Sequence, residues 1–325
     1  MKNLLFTLTF LAVVFSCEER EVNEDIASSN NQDILEELYE TDFEYLENYS
    51  MPEEDIEMLQ QIGFGGSDAF VIQQTKPDGK KSISYLLERD IEVEKDSLPN
   101  MAEAYNSLNG RTMKNEQYRT NFIASPRHIR IAAYDLYYTS IPRIANLRTG
   151  IERAVANYNA LGLNITFEVR FAPSPSGAAN LKRFNFSYGN SAHIKIRIVD
   201  FGGRTLGQAG FPYSTGGPYR SVRLDDDLGN RNVDVCEHIV THELGHCIGL
   251  RHTDWFDRTN SCGVERDQYG NVLNPNEGSA GVGAIHIPGT PARSNDANSI
   301  MKACINGNEN GEFTSYDRVA LRALF

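Results

Sequence analysis

The twelve residues from Thr241 to His252 restrict the fold more than any other part of the sequence. They read Thr-His-Glu-Leu-Gly-His-Cys-Ile-Gly-Leu-Arg-His. Residues four apart project from one face of an α-helix, so His242 and His246 can present ring nitrogens to one metal ion. Glu243 lies about 100° further round the helix, where it can reach a metal-bound water rather than the metal. The run predicts a helix over about 233–250 that carries two metal ligands and a general base.

A third histidine can join this pair only if the helix stops. In a continuous helix His252 would lie about 240° from His246 and point away from the metal. Gly249 permits the left-handed conformation that ends many helices, so the chain can turn and bring His252 back as a third ligand. Three nitrogen ligands leave a position for water, which is typical of catalytic zinc. His238, one turn earlier, is expected behind the ligands or at the surface.

The spacing from His242 to His252 resembles the zinc signature of the metzincin metallopeptidases at every fixed position. Those enzymes have a methionine turn beneath the metal, and Ser299-Ile300-Met301 resembles it. Within the metzincins, residues 252–255 and 286–291 make the chain most similar to the bacterial dual-action HEIGH metallopeptidases. Leu244 replaces the isoleucine of that name, and Ala303 stands where some metzincins have a tyrosine near the substrate carbonyl.

The resemblance implies an α/β (α+β) metzincin-like fold. We expect a five-stranded, mixed, twisted sheet with an active-site helix and a backing helix. A small irregular subdomain after Gly249 would end in a helix capped by Thr314 and Asp317. Residues 253–300 would wall a substrate pocket, with His286 either near the site or at the surface. A strand would pair with an extended peptide substrate; its residues are Gln208, Ala209, Gly210 and Phe211.

The implied function is that of an exported, monomeric zinc metalloendopeptidase with one catalytic zinc ion. Glu243 would take a proton from the zinc-bound water and deliver it to the leaving amine. The alternative is a non-catalytic surface lipoprotein, or peptide-binding module, on a metzincin scaffold; an esterase or amidase is a third reading. The acids Asp225, Asp226 and Asp227 are expected on a solvated face; the sequence leaves calcium binding undecided.

Hydrophobic periodicity predicts the other elements. Helices are expected near residues 34–39, from Pro52 to Gly63 and from Pro142 to Gly162. Strands are expected over 69–73, 82–87, 128–134, 165–171, 194–198 and 221–224. Residues 101–125 are polar and weakly periodic, which predicts a linker between residues 18–100 and a catalytic domain over 126–325.

The first 17 residues resemble an export signal. The apolar run from Leu4 to Phe15 is shorter than the roughly 20 residues of a membrane span. It ends at Ser16-Cys17, which resembles a bacterial lipobox, so we expect lipidation of Cys17; ordinary cleavage after Ser16 is the alternative. The protein would be a cell-envelope or cell-surface lipoprotein, or secreted after processing, and would meet the membrane only through Cys17.

The charge of −13 is concentrated near the N-terminus. Residues 18–60 contain 16 acids and one base, whereas residues 61–325 contain 28 acids and 29 bases. The overall acidic charge argues against nucleic-acid binding, because neutralising phosphates needs clustered Lys and Arg. Residues 18–125 form either a latency prosegment or an accessory domain or tether. Since no cysteine lies between 18 and 235, a latency ligand would have to be an acid, with Asp68 and Asp90 as candidates.

Lipidation of Cys17 would leave four cysteines. Cys236 and Cys247 lie about 16 Å apart on the predicted helix, too far for a disulfide. Of the remaining pairings we prefer Cys247 with Cys262 and Cys236 with Cys304. The crossed pairing and four free thiols are the alternatives.

Overall fold

The computed structural model describes residues 42–64, 69–75, 79–107, 117–264, 284–290 and 296–325. The predicted signal segment with Cys17, the helix predicted near residues 34–39 and Asp68 lie outside these ranges. No helix in the described ranges is both long enough and apolar enough to cross a membrane.

The described residues form twelve strands and seven α-helices. The strands are β1 (Asp42–Tyr45), β2 (Phe70–Thr75), β3 (Lys81–Leu87), β4 (Ile91–Glu94), β5 (Tyr118–Arg119), β6 (His128–Ala133), β7 (Thr166–Phe171), β8 (Ile194–Val199), β9 (Gly207–Gly210), β10 (Ser221–Asp225), β11 (Leu250–Arg251) and β12 (Ile285–His286). The helices are α1 (Glu53–Gln61), α2 (Leu98–Ser107), α3 (Pro142–Ala160), α4 (Ala178–Ser187), α5 (Val233–Ile248), α6 (Thr259–Cys262) and α7 (Ser315–Leu324).

The main sheet is mixed and has nine strands, in the order β1-β2-β3-β4-β9-β10-β8-β6-β7. Strands β6, β7, β8 and β10 run parallel, and β9 runs antiparallel to β10. The mixed α/β class is confirmed, but the predicted size of five strands is wrong. Strands β6–β10 supply five, and β1–β4 of the N-terminal region extend the sheet because β4 pairs in parallel with β9. Without β4, the backbone groups on that side of β9 would lack a partner strand.

The two longest described helices, α3 and α5, pack against each other, and α5 also contacts β9. Helix α3 begins at Pro142, as predicted, and buries one apolar face. The Tyr158 hydroxyl on that face donates to the Thr241 carbonyl at 2.9 Å, which ties α3 to the active-site helix. Every residue of α5 from Val235 onward is buried, so side chains on this helix are held firmly by packing.

The N-terminal region packs onto the rest of the molecule. Helix α1 and strands β2 and β3 form where the sequence predicts them. Apolar side chains of these elements, such as Leu59 and Leu87, share one buried cluster with Phe64, which follows α1, and with Phe211, which follows β9. A buried ion pair between Glu92 of β4 and Arg223 of β10 adds a polar contact. A loose tether would not bury such surface.

The linker predicted for 101–125 is wrong for its described residues. Helix α2 continues to Ser107. Tyr118 and Arg119 form β5, the middle strand of a second sheet with the order β11-β5-β12. Tyr118 is buried. A two-residue strand is too short to show the alternation that identifies strands in a sequence.

The preferred disulfide pairing is also wrong. Cys262 bonds Cys304, and Cys236 and Cys247 are free thiols. Both free cysteines lie on α5 inside the main hydrophobic cluster, where they pack as small apolar side chains. The disulfide joins α6 to the segment after Met301 in the C-terminal subdomain, which ends in α7 with the predicted Thr314–Asp317 capping box.

Candidate active site

Helix α5 places the first two histidines side by side. Asn232 caps its N-terminus by accepting a hydrogen bond from the Val235 N–H at 2.8 Å. One turn apart, His242 and His246 have ring centroids separated by 4.6 Å. The two rings therefore lie on one face of the helix.

Gly249 ends the helix and returns the third histidine. It adopts φ 114°, and its N–H donates to the carbonyls of Gly245 and His246. A Cβ here would lie 2.8 Å from the Phe122 carbonyl oxygen, so both conformation and space require glycine. The turn brings the His252 ring to 5.2 Å from His242 and 4.9 Å from His246, between centroids.

In each of the three imidazoles, Nδ1 lies within hydrogen-bond distance of an oxygen acceptor. His242 Nδ1 lies 2.7 Å from the Ile300 carbonyl, and His246 Nδ1 lies 2.9 Å from the Leu250 carbonyl. His252 Nδ1 lies 2.6 Å from Glu88 Oε2. Protons on the three Nδ1 atoms leave the Nε2 lone pairs facing one point, as neutral ligands of a divalent metal require.

Electrostatics and burial agree with a metal-binding role. Burial lowers the pKa of His246 to about 4, so the ring stays neutral at physiological pH. Its buried Nε2 has no hydrogen-bond partner in the described structure. A buried polar nitrogen without a partner is costly, and a metal ion at the common point would satisfy it. The residues present therefore fit zinc.

The predicted methionine turn lies against the helix. Met301 is fully buried, and its carbonyl accepts the Thr253 N–H at 2.8 Å. A Cβ on Gly245 would meet Met301 Sδ at 2.6 Å, so glycine is needed for the close approach. Asp317 of α7 holds the turn by accepting from the Ser299 hydroxyl at 2.7 Å and the Ile300 N–H at 3.0 Å. The sequence indicated Asp317 only as a helix cap.

Glu243 lies beside β9 and is only 2 % exposed. Its Oε2 has no hydrogen-bond partner among the described residues. A Cβ on Gly207 would come within 2.5 Å of Oε1, so the strand and the carboxyl group approach each other closely. Burial, reinforced by the charge of Asp90, raises the pKa of Glu243 well above its usual range. The raised pKa favours the protonated form of the carboxyl group.

A fourth potential ligand comes from the N-terminal region. Asp90 Oδ2 lies 2.9 Å from His252 Nε2, 3.2 Å from His242 Nε2 and 3.9 Å from His246 Nε2. The four residues together could hold one metal ion. Burial alone would raise the pKa of Asp90, but the histidines, above all His252, hold it well below its usual range. The sequence had offered Asp90 only as one of two candidates for such a position.

A tight turn delivers Asp90 into the site. Residues 81–94 form a β3–β4 hairpin whose two turn residues, Glu88 and Arg89, have φ of 55° and 77°. The Asp90 N–H donates to the Leu87 carbonyl at 3.2 Å. Left-handed conformation at both central residues is typical of a type I′ turn, which matches the twist of the flanking strands.

The predicted substrate strand is present as β9, and the hairpin covers its free edge. Ile91 pairs with Ala209 and Glu92 with Gly210, and the Ala209 N–H donates to the Asp90 carbonyl at 2.9 Å. Gln208 is buried within β9. Phe211 follows the strand and packs against the His246 ring, with centroids 5.6 Å apart.

Three further histidine and acid predictions have mixed outcomes. His238 is buried rather than at the surface, and burial lowers its pKa to about 3. His286 is half-buried and lies outside the group of potential metal ligands; its Nε2 lies 2.9 Å from the Thr290 hydroxyl oxygen.

Asp225 is buried and accepts hydrogen bonds from the N–H groups of Phe201 and Asp227, so the predicted solvated face is wrong for this residue. Much of the predicted pocket wall, 265–283 and 291–295, lies outside the described residues.

Comparison with known proteins adds a family. The model of a family described as "Dual-action HEIGH metallo-peptidase" matches residues 85–325. No curated protein matches the sequence. A solved structure of myroilysin is 15 % identical, with a TM-score of 0.35 over 62 % of this chain and 93 % of that one. Metalloproteinase-II from Bacteroides fragilis is 12 % identical, with a TM-score of 0.31 over 79 % of this chain and 76 % of that one.

The family match covers most of the chain. It starts in β3 and therefore includes the hairpin tip, the three histidines, Glu243 and the methionine turn. The chain belongs to the family of dual-action HEIGH metallopeptidases and is a zinc metallopeptidase.

Proposed function

We propose that the protein is an exported zinc metalloendopeptidase, made as a latent chain in which the β3–β4 hairpin fills the active site. The convergence of three imidazole Nε2 atoms beside the Glu243 carboxyl supports the peptidase activity. The placement of Asp90 among those atoms supports the latency. The predicted peptide-pairing edge of β9 favours an endopeptidase over an enzyme for small esters or amides.

His242, His246 and His252 would hold the zinc ion. When bound, zinc supplies Lewis acidity and lowers the pKa of a coordinated water to about 7. Glu243 Oε2, which has no hydrogen-bond partner among the described residues, accepts the proton of the attacking water. The same oxygen then delivers that proton to the leaving amine. A buried carboxyl group with a raised pKa suits both transfers, because it holds the proton between them.

Two contacts support the latent state. Asp90 takes the position among the histidines that a catalytic site keeps open. Strand β4 takes the β9 edge that an extended substrate would use. A peptide can reach the site only after the hairpin leaves, so residues 18 to about 110 act as the prosegment. Strand β5 stays with the enzyme, because it pairs with both β11 and β12. This places the acidic N-terminal region between the proposed lipid anchor at Cys17 and the enzyme.

Glu243→Gln tests the chemistry. In an Asp90→Ala chain, this substitution should leave zinc binding at one ion per chain and lower peptide hydrolysis by about 10² or more, since a general base is lost. Zinc content by mass spectrometry and cleavage of casein, with and without a chelator, measure both.

Glu237→Gln is the matched control. Glu237 lies on the same helix, but it contacts Asn157 and Arg153 of α3, so its loss should leave hydrolysis largely unchanged. Undiminished turnover by the Glu243→Gln chain would contradict the proposed mechanism, whereas equal losses in both variants would indicate damage to the helix.

A further inference from the structure

A second carboxyl group of the hairpin lies on a buried arginine beside the metal centre. Glu88 Oε1 accepts from an Arg251 terminal nitrogen at 3.2 Å, and the two side chains are 4 % and 1 % exposed. The Glu88 carbonyl accepts a second arginine, Arg258, at 3.0 Å. The hairpin is therefore held at Arg251 by the Glu88 carboxylate, as well as at the histidines by Asp90.

The N-terminal region supplies much of the cover over Arg251. The guanidinium lies 4.3 Å from the ring centroid of Phe64, which precedes the hairpin, and 5.9 Å from that of Phe211, which follows β9. When the prosegment leaves, Phe64 and Glu88 leave with it. Arg251 stays in place, because it directly precedes His252 and belongs to β11. Its guanidinium then borders the cleft between Phe211 and the metal centre.

The hairpin occupies three features of the cleft at once: the metal centre through Asp90, the β9 edge through β4, and Arg251 through Glu88. A substrate uses the first two features by the proposed function. The third is a guanidinium in a largely apolar setting, which is suited to bind a carboxylate through charge-assisted hydrogen bonds. In the latent chain this guanidinium already binds the carboxylate of Glu88.

We propose that Arg251 binds an acidic side chain of the substrate close to the scissile bond, so that the active enzyme prefers peptides carrying Glu or Asp at that position. Glu88 fills this subsite in the latent chain. The inference rests on the proposed function, since it concerns the specificity of the same cleft. Arg251 acts here as a specificity residue and takes no part in the proton transfers.

Paired peptides test the inference in the full chain. Asp90→Ala removes one hairpin carboxyl group, and Glu88→Gln removes the charge that faces Arg251 while keeping an oxygen acceptor for His252 Nδ1. Two peptide sets, identical except for Glu or Gln at each of the four positions on either side of the scissile bond, are then compared. At one position, kcat/KM should favour Glu by about tenfold or more, the effect of one hydrogen bond to a charged group. Arg251→Met in that background should bring the ratio near one while the Gln peptide is still cleaved.

Arg220→Met is the matched control, because Arg220 is exposed and stacks on Tyr213; it should keep the preference for Glu. If Arg251→Met does not fold, Arg251→Lys keeps the charge and should keep part of the preference. A binding readout uses Glu243→Gln with labelled, uncleaved peptides, whose Kd should differ by the same factor.

The outcomes separate the two proposals. Cleavage with equal rates for Glu and Gln at every position overturns the acidic subsite and leaves the peptidase intact. A preference for Glu that survives Arg251→Met also overturns it. Failure of every variant to cleave any peptide counts against the proposed function, and the binding measurement then still decides whether Arg251 selects acidic peptides.

Discussion

At the residue scale, the position of Glu243 depends on a missing side chain. Gly207 leaves room for the carboxyl group, and a Cβ there would come within 2.5 Å of Oε1 and 2.9 Å of Ile239 Cγ2. No other residue type fits without moving the Glu243 carboxyl group. Gly207 does not have the positive φ that favours glycine. Glycine is required here because the Glu243 carboxyl group lies against it.

Gly207→Ala should therefore displace the base without disturbing the metal ligands. We expect zinc content to stay at one ion per chain and kcat to fall by up to about 10²-fold, as for a catalytic group shifted by about 1 Å. Steady-state kinetics and metal analysis check this in the Asp90→Ala chain. Gly177→Ala is the control, since its added Cβ has no neighbour nearer than 3.4 Å. Unchanged kcat in Gly207→Ala would mean that the contact is not restrictive.

The three histidines of the candidate metal site could be predicted from the sequence because their geometry is local. Helical spacing sets His242 against His246, and Gly249 supplies the turn to His252. Glu88 could not be predicted, and Asp90 only as one of two candidates, because they meet the site across 152 or more residues of chain. The Arg251 contact was missed for the same reason. No local pattern connects a hairpin tip to a helix so distant in sequence.

At the scale of elements, the sequence indicated most strands but not the extent of the sheet. Alternation along β8 and the turn between β2 and β3 are visible locally, whereas the pairing of β4 with β9 joins two segments that each look complete. The cysteines show the same limit. Their spacing on a helix excluded one pairing, yet burial of Cys236 and Cys247 in the core decided which cysteines remained free.

The Cys262–Cys304 disulfide should stabilise the C-terminal subdomain. It closes a loop of 42 residues, for which loop entropy gives roughly 3–5 kcal/mol. Replacing both cysteines by serine should lower the unfolding temperature measured by calorimetry. Mass spectrometry of the non-reduced protein should find these two residues linked and Cys236 unlinked. A peptide linking Cys236 or Cys247 to either of them would contradict the structure.

At the scale of the whole molecule, the net negative charge and the β3–β4 hairpin both lie in the N-terminal region. Most of the net negative charge lies before residue 61, ahead of the hairpin that reaches the metal centre. The charge therefore belongs to the part of the chain proposed to be removed, and the remaining enzyme is close to neutral. Docking of this region through an apolar cluster and β4 explains how a prosegment without a cysteine can still close the site.

Mass spectrometry of the exported protein tests this organisation. We expect the precursor to carry lipid on Cys17 and the active form to begin near residue 110, since cleavage there releases the hairpin and keeps β5 with the enzyme. Fully active enzyme with an intact, lipidated Cys17 would argue against a removable prosegment.

The most direct measurement of the central claim is peptide hydrolysis by the zinc-loaded full chain with and without Asp90→Ala. We predict little hydrolysis by the unaltered chain and at least about tenfold more by the variant, the effect of weakening the hairpin by ~1.4 kcal/mol. A chelator, or Glu243→Gln introduced into the Asp90→Ala chain, should abolish this increase in hydrolysis. Equal rates for the two chains, or no hydrolysis by either, would contradict a zinc peptidase held latent by its own hairpin.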